Sequence, residues 1–187
     1  MASEFLGDRR RALEESFFHE CDKELVKRLK ADLAEKEQKK ALSAASGIED
    51  DSILTSLLSV DVSSETLACV SLIPLVVVAW ADGEVQDQER TAILSAADEF
   101  GVHSNDPSYT LLENWLSDKP SGELFDAWKE YVSALSKSLS ESDRENLKSN
   151  VLGRARDVAK AAGGVLGMGS ICKQEKDVLD ELEEVFA

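Results

Sequence analysis

The sequence predicts an all-α protein: a helical bundle with two pseudo-repeated helix–turn–helix units and a long N-terminal amphipathic helix. Its 187 residues include only 3 Pro and 10 Gly, which favours long helices and few turns. Apolar residues recur at helical spacing over most of the chain. The β-branched run at 76–78 has strand propensity, but a lone strand would have no partner, so we expect a fully buried helix there.

Composition indicates a globular chain, since 43% of the residues are hydrophobic and 31% are charged. The length suits one domain with an appendage. The apolar run 67–81 is too short for a membrane span and is interrupted by Pro74. No signal peptide is evident, so the expected location is cytoplasmic. Three scattered cysteines without a C-x-x-C spacing indicate neither a zinc site nor a disulfide framework.

The N-terminal segment, residues 1–46, is predicted to be one long helix or two in line, because residues 8–45 contain no Gly or Pro. Its i, i+4 apolar stripe consists of Leu13, Phe17, Cys21, Leu25, Leu29 and Leu33. Such a stripe either packs on the protein's own body or anchors the helix in a partner's groove.

The body, residues 47–187, opens with a short predicted helix at 51–59. Two similar helix–turn–helix units follow, beginning at Ser63 and Ser140, and the first helix of each runs to an Ala/Gly junction, at 81–83 and at 161–164. Each second helix starts with a hydrophobic residue followed four positions later by Glu, which makes Glu89 and Glu175 equivalent. Ser140 with Asp143 has the spacing of a capping box. Two further helices, 107–116 and 122–139, are expected between the units.

The turn of the first unit is strongly acidic. The apolar run 67–81 stops at Asp82-Gly83, and Asp82, Glu84, Asp87 and Glu89 lie within eight positions. An amphipathic stretch, 90–100, comes next. The order indicates a buried helix, a Gly-terminated turn and a second helix.

Residues 62–187 resemble the tellurite-resistance TerB family, on the pattern Ala79-Trp80-Ala81-Asp82-Gly83 followed by Glu89. The resemblance implies an all-helical fold with repeated helical pairs and a non-enzymatic binding or scaffold module of stress response. It also implies metal binding at the acidic turn, here by Asp82, Glu84 and Glu89 with Asp87 nearby. In the second unit Ala162 stands where Asp82 would be.

Two interpretations of the turn stay open at this point. The first is a divalent cation, Ca²⁺ or Mg²⁺, held by the four carboxylates, although the spacing does not match an EF-hand loop. The second is helix capping. Gly83 would then provide the left-handed residue after the first helix, and Glu89 would reach back to the Gln86 amide.

Charge sets the expected partners. The formal net charge is −16, and residues 47–135 hold seventeen acids and three bases, a net of −14. This body repels nucleic acid and suits a protein partner with a basic surface. Catalytic signatures are missing from the sequence: His19 and His103 belong to no motif, and the glycine-rich 163–169 follows a helix rather than a strand.

A second function class comes from the N-terminal segment. The pattern Asp8-Arg9, Ala12-Leu13-Glu14, Phe17 and Glu24-Leu25 is faintly similar to the opening of the small zeta-type inhibitor of bacterial ATP synthase. The similarity implies a regulatory protein that docks this helix on a larger enzyme.

Overall fold

The computed structural model describes residues 2–162 and 171–186, with side chains over 23–161 and 171–186. Every regular element in these ranges is helical, which confirms the predicted all-α class. The α-helices are α1 (Ala2–Ser46), α2 (Asp51–Ser59), α3 (Ile73–Ala79), α4 (Asp87–Glu99), α5 (Pro107–Ser117), α6 (Glu123–Ser138), α7 (Glu141–Ala162) and α8 (Lys173–Glu184). A 3-10 helix, Leu67–Leu72, leads into α3.

The chain forms two compact units, Met1–Lys40 and Ala41–Ala187. In the first, the described part of the apolar stripe is exposed: Leu25, Leu29 and Leu33, with the adjacent Val26, keep between 50% and 60% of their surface accessible. Ion pairs at i, i+4 spacing, such as Arg28 with Glu24 at 3.6 Å, support the helix. The end of α1 belongs to the second unit, where Leu42 is fully buried.

The core of the second unit surrounds α3, which packs against α4, α6, α7 and α8. This explains why the β-branched run is helical: Val76 and Val78 are completely buried and Val77 partly so. A helix buried on every side needs no polar face. The prediction of one continuous helix from Ser63 to Ala81 is wrong, because the segment divides into the 3-10 helix and α3. Pro74, in the first turn of α3, lacks the N–H that a continuing α-helix would use.

The two predicted repeats are α3–α4, with the preceding 3-10 helix, and α7–α8. They pack on each other: α4 lies against α7, and α3 lies against both α7 and α8. Helix starts follow the predicted caps, since Ser140 Oγ accepts the Asp143 N–H at 3.2 Å ahead of α7. The turn of the second repeat, including Gly163 to Gly169, lies outside the described residues.

Candidate functional site

The acidic turn connects α3 to α4 and is fastened at its first residue. The Trp80 indole Nε1 donates to the Trp115 carbonyl at 2.8 Å, which fixes the turn to α5. Lys119 Nζ donates to the Trp80 carbonyl at 3.3 Å. Gly83 has a φ of +105°, a conformation that L side chains rarely adopt. This positive φ was predicted, although α3 ends at Ala79, so Gly83 lies further into the turn than the residue directly after a helix cap.

Three of the four predicted metal ligands point to solvent. Asp82, Glu84 and Asp87 are exposed. Asp82 Oδ1 accepts the Glu84 N–H at 3.3 Å, so this carboxylate partly organises the turn itself. Asp87 is in the first turn of α4, where a negative charge complements the helix dipole.

Glu89 differs from the other three because it points inward and is only 2% exposed. Its Oε2 accepts the Gln86 N–H at 2.8 Å, as the capping interpretation predicted. The pKa of the Glu89 carboxyl is raised to about 7, mainly by burial and also by the charges of Asp82 and Glu175, against the lowering effect of the Gln86 hydrogen bond. The Glu89 carboxyl therefore changes from its protonated to its ionised form near neutral pH.

Glu175 is the corresponding residue of the second repeat, at the same position of α8. It is 4% exposed, and its Oε2 accepts the Cys172 N–H at 2.5 Å. The sequence had shown that Glu89 and Glu175 are equivalent, but not that they interact. The sequence repeat was the signal that could have suggested this interaction, because equivalent positions of two units can approach each other when the units pack together.

The geometry limits what the turn can coordinate. Over 23–161 and 171–186, no three His, Cys, Asp or Glu side chains converge closely enough to hold a metal ion. A cation at the turn would meet the exposed oxygens of Asp82, Glu84 and Asp87 and complete its shell with water. Glu89 would not be a ligand of such a cation, because its carboxylate is buried and accepts the Gln86 N–H as a cap of α4.

The rest of residues 47–135 is acidic as well. Of the seventeen acids in residues 47–135, fourteen are exposed, two are half-buried and Glu89 is buried. The three bases of this region are all engaged. Arg90 lies 3.5 Å from Glu113, Lys119 binds a carbonyl, and Lys129 lies 2.6 Å from Asp126. The region therefore exposes many more carboxylates than its three bases can neutralise.

Comparison with known proteins gives no match: none was found among protein-family models, among characterised proteins or among solved structures. Among the described residues, no helix combines the length and the apolar character needed to cross a membrane.

Proposed function

We propose that this protein is a non-enzymatic, TerB-like helical binding module that uses its acidic surface to bind a protein with a basic surface. One observation carries the proposal: fourteen carboxylates in residues 47–135 are exposed, whereas the region has only three bases, of which two are in ion pairs and the third donates to a carbonyl. Complementary charge steers association and selects among partners. The resemblance at Ala79–Gly83 with Glu89 supports the assignment to a stress-response module.

The test compares two variants that lose equal charge. The first neutralises the turn with Asp82→Asn, Glu84→Gln and Asp87→Asn. The second neutralises three exposed acids of α8 with Asp177→Asn, Asp180→Asn and Glu181→Gln. We expect a basic protein, captured by the wild type and released by salt, to be lost from the turn variant and kept by the α8 variant. Equal loss from both would contradict recognition at the turn.

A divalent cation at the turn is part of the same proposal. Ca²⁺ or Mg²⁺ would bind the outward oxygens of Asp82, Glu84 and Asp87 together with water, which relieves the repulsion among three like charges on one turn. Isothermal titration with each ion at physiological salt measures the binding. Absence of heat, or an equal response in the Asp82→Asn/Glu84→Gln variant, would remove the cation from the proposal.

A second candidate function is regulation of a larger enzyme by the N-terminal helix. It is favoured by the exposed face of Leu25, Val26, Leu29 and Leu33, which has the spacing of anchors in helix-in-groove recognition. The variant Leu29→Glu/Leu33→Glu removes this face. The control Ala31→Glu/Ala34→Glu puts the same charges at exposed positions on the other side of the helix. Loss of an enzyme partner from the first variant alone is the expected result, and identical capture by both would contradict it.

A further inference from the structure

A cavity of about 280 Å³ lies between α6 and α7, above the 3-10 helix and α3. Both α6 and α7 pack on α3, but they make little contact with each other. A wedge-shaped gap, which is this cavity, therefore remains between α6 and α7. The floor of the wedge is apolar and includes Val70, Leu75 and Trp128, all buried.

The walls of the cavity are also mainly apolar. Leu135, Leu147 and Val151 are half-buried, so they are neither packed as core residues nor fully hydrated. An apolar wall without partner atoms loses dispersion contacts that a fitting molecule would restore. Concave, largely apolar sites with a few convergent polar groups are the usual form of small-molecule sites.

Polar groups lie among the lining residues on different elements. Ser71 and Asn150 are exposed, on the 3-10 helix and on α7, and Arg154 is half-buried one turn beyond Asn150. The Arg154 guanidinium lies 4.5 Å from the Phe100 ring centroid. Each of these side chains carries a hydrogen-bond donor for an oxygen atom of a molecule whose body occupies the apolar interior.

The charge of the ligand follows from the pairing of Arg154. Arg154 is the one charged residue among the described lining residues, and its NH1 already bonds Glu99 Oε2 at 2.6 Å. The site therefore offers no unbalanced positive charge, and the chain as a whole is strongly negative. A carboxylate would leave water without a compensating charge, whereas a hydroxyl or carbonyl oxygen would not.

We infer that this cavity binds a small uncharged lipophile that carries one hydroxyl or carbonyl oxygen, with its apolar body between α6 and α7 and its oxygen beside Asn150 and Arg154. The binding is separate from recognition at the acidic turn.

Titration of the full-length protein with octanol and with octanoate tests the inference. We expect octanol to bind in a one-to-one ratio, raise the melting temperature and shift the indole NMR signal of Trp128. Octanoate, with the same chain and a charged head, should bind at least about tenfold more weakly. Equal affinity for the two would overturn the proposed ligand class, and no saturable octanol binding would overturn the site.

Variants on α7 locate the binding. Val151→Phe and Leu147→Phe each fill part of the cavity and should abolish octanol binding. Using both guards against one of them failing to fold. Ser149→Phe adds the same ring at an exposed position of α7 that does not line this cavity, and should bind octanol like the wild type. Persistence of binding in a folded Val151→Phe or Leu147→Phe protein would overturn the site, whatever is found at the acidic turn.

Discussion

Glu89 and Glu175 are equivalent buried carboxylates, each at the third position of its helix and each bonded to the backbone N–H of its own helix cap. Their burial is unusual for acidic residues, which are rarely removed from water without a partner. The backbone hydrogen bond compensates part of the desolvation, and the charge of Glu175 adds to the cost of ionising Glu89. The two repeats thus each bury one acidic residue at the start of their second helix.

The first prediction concerns pH. Because the pKa of Glu89 rises from 4.5 to about 7 in the folded protein, the folded state holds a proton that the unfolded state releases between these values. The resulting stability is complete below about pH 4.5 and is lost as the pH rises through about 7. Glu89→Gln removes this dependence, so it should gain on the order of 2 kcal/mol over the wild type between pH 5 and pH 8.

Urea denaturation across this pH range, with chelator present, measures the difference between the two proteins. Glu84→Gln is the control, because it removes one charge from an exposed position of the same turn. It should follow the wild type to within about 0.5 kcal/mol. A Glu89→Gln difference that does not change with pH would contradict a carboxyl group that is protonated near neutrality.

The second prediction compares two leucines of α1, Leu33 in the first unit and Leu42 in the second. Leu42 is fully buried in the second unit, whereas Leu33 is 60% exposed. Leu42→Ala removes core contacts and leaves a cavity, so it should lower the free energy of unfolding by about 2–5 kcal/mol. Leu33→Ala should change it by less than about 0.5 kcal/mol. Chemical denaturation of both variants gives the comparison, and a large loss in Leu33→Ala would show that the exposed face is needed for folding.

The third prediction concerns the attachment of the acidic turn. Trp80→Phe keeps an aromatic ring but removes the indole N–H that bonds the Trp115 carbonyl at 2.8 Å. The expected loss is about 1 kcal/mol, the usual net value of one hydrogen bond. Amide hydrogen exchange should also quicken from Ala81 to Val85 and stay unchanged in α7, which contributes neither partner of that bond. Uniformly faster exchange would indicate global destabilisation instead.

The sequence predicts correctly those structural features that depend on residues close together in the chain. The Gln86–Glu89 capping box and the start of α7 after Ser140 depend on neighbouring residues, and the structure has both. The helix at 76–78 was predicted against its local strand propensity, from the lack of a partner strand. The change from a 3-10 helix to α3 was missed, although Pro74 marks it.

Non-local relationships could not be predicted in the same way. The charge of Glu175 acts on Glu89 because α4 and α8 both pack on α3. The repeat marks the two residues as equivalent, but it does not show how the two units pack. The cavity between α6 and α7 likewise results from tertiary packing, because both helices pack on α3 and make little contact with each other. The four carboxylates of the turn were grouped by their spacing alone, and burial then separated Glu89 from the exposed three.

The last prediction decides between a cation site and a capped turn. Asp82 is exposed, and its charge raises the pKa of Glu89, so Asp82→Asn should be neutral or stabilising by up to about 0.5 kcal/mol in chelator. Glu89→Ala should instead cost on the order of 1 kcal/mol, because it removes the cap of α4. If the turn binds Ca²⁺ or Mg²⁺, millimolar cation raises the melting temperature of the wild type but not of Asp82→Asn. A wild-type melting temperature that is the same in chelator and in cation would leave the acidic turn as a helix connection capped by Glu89.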